Sequence, residues 1–65
     1  MKYNELLRLL ISDGWFIVRQ SGSHIIMAHP EKKGKITISF HAGKEIKKGL
    51  LRAIIKQSGL KTNKR

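Results

Sequence analysis

Residues 15–29 read WFIVRQSGSHIIMAH and hold the main evidence for a β-sheet. Residues 15–20 are rich in aromatic and β-branched side chains, which favour a strand. Residues 21–23, Ser-Gly-Ser, have the composition of a turn, and residues 24–29 are again largely apolar. The stretch therefore predicts a β-hairpin with strands at 15–20 and 24–29.

A third strand is predicted immediately after this hairpin. Residues 30–34, PEKKG, are polar and typical of a turn. Residues 35–40, KITISF, alternate polar and apolar side chains, so that Ile36, Ile38 and Phe40 share one face. The three strands together form a three-stranded antiparallel sheet with one apolar face.

A helix is predicted on each side of the strands. Residues 4–13 carry leucines at helical spacing, with Asn4 as the expected N-cap and Gly14 as the expected stop. Residues 48–58 form a second apolar face at the same spacing, and Gly59 and Leu60 follow as a Schellman ending.

The predicted fold is α+β, in the order α-β-β-β-α. Two amphipathic helices are enough to cover one face of the sheet, so we expect both on that face. We assign residues 1–60 to a single domain and residues 61–65, KTNKR, to a basic C-terminal tail. A chain of 65 residues buries only ~60% of the surface that its unfolded form exposes, which predicts a thin core.

The composition excludes several classes of protein. The chain has no cysteine, which removes disulfides, zinc–thiolate sites and thiol nucleophiles. Its longest apolar run, residues 9–11, is far too short to span a bilayer, and no secretory h-region follows Met1. The net charge of +10 predicts a polyanionic partner. We therefore expect a cytoplasmic, soluble, cationic domain that does not bind membranes.

The positive charge is concentrated in the last third of the chain. Residues 44–65 carry +7 of the net +10. Lys48, Arg52 and Lys56 are four residues apart, which places them on one side of the predicted helix as a cationic stripe. Such a stripe can be a solvated face that keeps a small protein soluble. The scarcity of acidic neighbours favours a face that binds phosphates.

Acid–base chemistry in this chain falls to its three histidines, His24, His29 and His41. His24 and His29 are five residues apart on one strand and point to opposite faces, and a site made from His41 and one strand histidine would lack a carboxylate, so we predict no metal site. So short a chain has no room for a cofactor domain, and we predict no cofactor. An imidazole with nearby cations suits proton transfer at a phosphodiester. RNA is the favoured substrate because its 2′-hydroxyl supplies the nucleophile.

Each histidine also has a structural interpretation. His24 follows a turn and could be hydrogen-bonded to the backbone. His29 precedes Pro30 and is predicted to be a surface residue. His41 lies near the basic helix and could be a phosphate ligand or an ordinary loop residue. Composition and spacing leave these alternatives open.

Two motifs carry a resemblance to a known family. Residues 14–24, GWFIVRQSGSH, contain Gly-Trp followed by the pattern R-Q-x-G-S-H. Residues 41–60, HAGKEIKKGLLRAIIKQSGL, resemble H-x-G-K-E-[LI]-x-x-G-T-L-R-x-I-L-K-Q-A-G-L, with Lys-Gly-Leu at residues 48–50 where Pro-Gly-Thr is frequent. Together they resemble the HicA, or YcfA-like, family of toxins from the first helix to Leu60.

The resemblance implies a fold similar to double-stranded-RNA-binding domains. It also implies a toxin of a type II toxin–antitoxin module that cleaves mRNA, with the histidine of G-S-H, His24, as the catalytic residue. The implied partner is a HicB antitoxin, which binds the toxin and blocks its site. The residues expected to bind RNA are Arg19, Ser23, His41, Lys44, Lys47, Lys48, Arg52 and Lys56.

Two other functions use the same surface. The chain could be a non-catalytic RNA-binding module, in which His24 is structural. It could also be a purely protein-binding domain whose cationic face docks an acidic partner.

Overall fold

The computed structural model describes residues 1–60, and the predicted basic tail at 61–65 lies outside them. The order of elements is the predicted α-β-β-β-α. Their bounds are α1 Tyr3–Asp13, β1 Phe16–Ser21, β2 His24–Ala28, β3 Lys35–Ser39 and α2 Lys48–Ser58. Each predicted strand shifts or shortens by one residue, so that Trp15, His29 and Phe40 lie just outside the strands.

The sheet is antiparallel, with the strands in the order β1-β2-β3. Arg19 pairs with Ile26, and His24 pairs with Ser21 on β1 and Ser39 on β3. The register of β1 shifts between Ile17 and Arg19, which marks a β-bulge.

One face of this sheet is covered by both helices, as predicted. The core contains four buried strand residues, Ile25, Met27, Ile36 and Ile38, and three aliphatic helix residues, Leu6, Leu10 and Ile54. Tyr3, Trp15 and Ile46 complete it. Because side chains alternate along a strand, the residues between them project from the opposite face, here called the open face. The open face consists of Phe16, Arg19, Ser21, His24, Ile26, Ala28, Lys35, Thr37 and Ser39.

The ends of the helices match the prediction in part. Gly14 and Gly59 end the two helices at positive φ, +112° and +67°, as expected. Asn4 does not cap α1. Lys2 is the N-cap residue, and the Asn4 side chain instead accepts a hydrogen bond from the backbone N–H of Gly43 at 3.0 Å.

The C-terminal end of α2 is closed by a side chain. The Gly59 N–H donates to the Lys56 carbonyl, and the Leu60 N–H donates to Ser58 Oγ at 3.1 Å. Leu60 still packs against the core.

The direction of the chain gives the molecule two different ends. The β1–β2 turn, the end of β3, residues 40–47 and the first turns of both helices meet at one end, which we call the histidine end because it carries His24 and His41. The last turns of both helices and residues 29–34 meet at the opposite end. No helix among residues 1–60 has the length and apolar character needed to cross a membrane.

His29 belongs to the opposite end, and its prediction as a surface residue is wrong. Its side chain is only 6% exposed. Nε2 lies 2.8 Å from the carbonyl oxygen of Asp13, Nδ1 accepts the Glu31 N–H at 3.0 Å, and the ring meets the edge of the Trp15 indole. With both nitrogens bonded, the ring joins β2 to the end of α1 and takes no part in proton transfer.

Lys32 ties the two helix ends together. Its Nζ donates to Asp13 Oδ2 at 2.7 Å and to the backbone carbonyl of Ser58 at 3.0 Å. A cation at the last carbonyls of a helix also interacts favourably with the helix dipole. Asp13 and Ser58 end α1 and α2, so one side chain on the β2–β3 connection fixes how both helices lie on the sheet.

This contact predicts a pH dependence of stability. The Lys32 ammonium, hydrogen-bonded to Asp13, holds the pKa of that carboxyl below its usual range. Because the folded pKa is the lower one, the stabilisation is present above about pH 4, the ordinary aspartate range, and is lost as the pH falls. We expect the wild-type protein to resist urea better than Asp13→Asn at pH 7. The difference in urea resistance between the two proteins should vanish near pH 2. An equal difference at both pH values would contradict the stabilising role of the Lys32–Asp13 contact.

Candidate functional site

His24 is the first residue of β2 and lies exposed on the open face. The Phe40 N–H donates to the Ser23 carbonyl at 2.7 Å, so residues 23 and 40 are a hydrogen-bonded pair. The next pair, His24 and Ser39, is therefore of the non-hydrogen-bonded kind, in which the Cα atoms are ~4.5 Å apart and the side chains are close.

The His24 ring has no hydrogen-bond partner among residues 1–60. The structural interpretation, a histidine fixed by the backbone after a turn, is therefore not what the structure has. An exposed imidazole without an internal partner is available to take or give a proton.

His41 lies beside Ser39 at the same end. Its Nε2 is 3.3 Å from Ser39 Oγ. Its ring stands edge-on to the Tyr3 ring, with centroids 5.5 Å apart and an interplanar angle of 78°. Ser39 thus has His24 opposite it on β2 and His41 bonded to its hydroxyl group.

Residues 40–47 form a loop that is fixed to the N-terminal segment. The Tyr3 N–H donates to the Lys44 carbonyl at 3.2 Å, and the Ile46 N–H donates to the Met1 carbonyl at 2.9 Å. Lys2 and Glu45 form an isolated antiparallel bridge. These bonds, with that of Asn4 to Gly43, hold the backbone of a loop whose cationic side chains are exposed.

The cationic stripe of Lys48, Arg52 and Lys56 lies exposed along α2. Successive members are ~6 Å apart along the helix axis. The first two line a shallow groove of about 270 Å³ together with Leu51 and Ile55. Because α2 covers the face of the sheet opposite to His24, the stripe and His24 are on different sides of the molecule.

The structure therefore divides the expected RNA-binding residues into three groups. Arg19 and Ser23 lie near His24, since Arg19 pairs with Ile26 on the open face and Ser23 precedes His24 in the turn. His41, Lys44, Lys47 and Lys48 lie around the histidine end. Arg52 and Lys56 continue away from it along α2.

Sequence reasoning missed the roles of Ser39 and Tyr3. Alternation places Ser39 on the polar face of β3, but its position opposite His24 depends on the register between β2 and β3. The contact of Tyr3 with His41 joins residues far apart in the chain, and no local pattern indicates it.

Within residues 1–60, no three histidine, cysteine, aspartate or glutamate side chains come together as a metal-binding group. The histidine end instead brings together two imidazoles, the Ser39 hydroxyl group and several cations. This set can move protons and bind a phosphate.

The fold and this end define a small basic α-β-β-β-α domain with an exposed histidine after a Gly-Ser turn. The family described as the HicA toxin of bacterial toxin–antitoxin matches residues 3–60, and the chain belongs to this family. Membership gives the chain the role of a toxin and implies an antitoxin as its partner. None of the curated proteins compared with the chain matches it.

Proposed function

We propose that this toxin is a metal-independent endoribonuclease that cleaves mRNA. The observation that carries the proposal is the position of His24, which is exposed, has no hydrogen-bond partner among residues 1–60 and lies opposite Ser39 on the same face as Arg19. His24 acts as the general acid or base when the 2′-hydroxyl of a nucleotide attacks its own 3′-phosphate.

The cations near His24 have two tasks. Arg19, on the same face, is placed to stabilise the negative charge that develops on the phosphate oxygens. Lys44, Lys47 and Lys48 around the histidine end hold the phosphates of neighbouring nucleotides. RNA that continues past this end reaches Arg52 and Lys56, so a bound strand passes from the open face around the histidine end to α2.

The antitoxin partner is proposed to be a HicB-like protein. A net charge of +10 attracts an acidic protein surface as well as RNA, because both carry negative charge. An inhibitor that covers the histidine end blocks substrate binding and His24 together. Since mRNA is the proposed substrate, the toxin acts in the cytoplasm.

The chemistry of the products tests this proposal. Attack by the 2′-hydroxyl leaves a 2′,3′-cyclic phosphate on one fragment and a 5′-hydroxyl on the other, and it needs no metal. We expect purified toxin to produce these ends from a long single-stranded RNA at an unchanged rate in EDTA. Mass spectrometry of the fragment ends is the measurement. Loss of cleavage on chelation, restored by a divalent ion, would contradict the proposal.

The same experiment identifies the alternative, a non-catalytic RNA-binding module. Such a module would retard RNA in a gel, lose affinity by decades as the salt concentration rises, and leave the RNA intact. Intact RNA after prolonged incubation would therefore favour binding without catalysis.

A further inference from the structure

We propose that His41 is a second catalytic histidine, which protonates the departing 5′-oxygen while His24 removes the proton from the 2′-hydroxyl. The inference rests on the proposed ribonuclease function and assigns the two halves of the proton transfer to two residues. It is carried by the arrangement of His24, Ser39 and His41.

Ser39 brings the two imidazoles to one place. The Cα atoms of His24 and Ser39 are ~4.5 Å apart, as in any non-hydrogen-bonded pair. Two residues of extended chain span at most about 7 Å, which limits the distance from Ser39 to His41. Both histidines are thus close neighbours of Ser39. In-line displacement uses two proton-transfer groups, because the attacking and leaving oxygens are on opposite sides of the phosphorus.

The hydrogen bond of His41 leaves one ring nitrogen for the substrate. Nε2 is engaged with Ser39 Oγ at 3.3 Å, and no residue of the described chain bonds to Nδ1. In the imidazolium form, Nε2–H donates to Ser39 Oγ and Nδ1–H faces the leaving oxygen. After the transfer, the neutral ring keeps its proton on Nε2 and its bond to Ser39. Ser39 is therefore a positioning residue, and the edge contact with Tyr3 holds the plane of the ring.

No other histidine in the chain can take this part. His29 lies at the opposite end and has both ring nitrogens bonded. Imidazole is the side chain best suited to donate a proton at neutral pH.

The step is balanced. The 2′-oxygen forms a bond to phosphorus as its proton passes to His24, and the bond from phosphorus to the 5′-oxygen breaks. The bonding pair goes to the 5′-oxygen, which takes the proton from His41. One fragment ends in a 2′,3′-cyclic phosphate and the other in a 5′-hydroxyl, and the histidines exchange their protonation states.

A substrate with a better leaving group separates the two roles. The probe is an oligoribonucleotide with one cleavage site, which is mapped with the wild-type toxin. It is made in two forms, one with the natural 5′-oxygen at that site and one with sulfur in place of this oxygen. A thiolate leaves without being protonated, so the sulfur substrate needs no general acid. We expect His41→Ala to lose ~10²–10⁴-fold in kcat/KM on the oxygen substrate. On the sulfur substrate it should recover to near the wild-type rate.

Three further variants make the result decisive. His24→Ala should be impaired on both substrates, because sulfur does not replace the base. Ser39→Ala should show a smaller loss on oxygen that sulfur also restores. Thr37→Ala, exposed on the same face and paired with Ile26, should cleave both substrates like the wild-type protein. If His41→Ala does not fold by circular dichroism, His41→Asn serves instead.

The outcomes distinguish the two proposals. If His41→Ala is fully active on the oxygen substrate, or is equally impaired on both substrates, His41 is not the general acid. If His24→Ala also cleaves like the wild-type protein, the proposed function of His24 fails as well. If His24→Ala alone is inactive, the ribonuclease proposal stands and only the role of His41 is overturned.

Discussion

Replacing His24 with alanine is expected to reduce RNA cleavage by ~10²–10⁴-fold, the usual contribution of a general acid or base. The physical reason is that His24 is exposed on the open face and is the imidazole nearest Arg19 along that face. The measurement is kcat/KM on a defined single-stranded RNA, together with growth after induced expression. The variant should cleave at background level and should not arrest growth.

Stability should not change in His24→Ala, which separates this effect from unfolding. An exposed side chain without an internal hydrogen bond contributes within about 0.5 kcal/mol to the free energy of unfolding. Urea unfolding and circular dichroism of the variant should therefore match the wild-type protein. Undiminished cleavage would remove His24 from the mechanism, and equal growth arrest by both proteins would count against catalytic toxicity.

Replacing Gly14 with alanine is expected to destabilise the fold by roughly 2–4 kcal/mol, from backbone strain and the loss of a side-chain hydrogen bond. Gly14 has φ of +112°, a conformation that L-residues with a side chain rarely adopt. A Cβ at this position would lie 2.6 Å from His29 Nε2, the atom that bonds to the Asp13 carbonyl. The core of so small a domain rarely supplies more than ~3–5 kcal/mol, so the variant should lose much of its stability.

A matched control separates strain from the clash with His29. Gly34 also has a positive φ, +86°, but a Cβ there would meet nothing within 4 Å. Gly34→Ala should therefore lose only the part due to strain. The measurement is the urea midpoint of the three proteins by circular dichroism. If Gly14→Ala unfolds at the same urea concentration as Gly34→Ala, the clash with His29 does not contribute to the loss of stability.

The architecture could be predicted because local patterns determine it. The alternation in residues 35–40 and the helical spacing of the leucines in residues 4–13 each bury one face, and glycines end both helices. The errors arose where a distant contact outweighs a local preference. Asn4 is a good N-cap by type but bonds to Gly43, and His29 follows a strand as a surface residue would but is covered by Trp15.

The sequence indicates individual residues of the candidate site but not how they are arranged. The motif around His24 and the charges of α2 are visible in the sequence, but their placement on opposite sides of the sheet is not. They are separated because both helices cover one face of the sheet, whereas His24 lies on the open face. The pairing of His24 with Ser39 requires the register of two strands, and the position of His41 requires the loop 40–47 in its folded form.

The attachment of this loop to the N-terminal segment bears on the order in which the toxin is assembled. The hairpins join residues close in sequence, whereas the bridge of Lys2 with Glu45 closes most of the chain and costs more loop entropy. We expect the sheet to form first and the loop to be fixed last. Because residues 1–4 leave the ribosome long before residues 43–46, a nascent chain should lack the arrangement that cleaves RNA until residues 43–46 have also emerged.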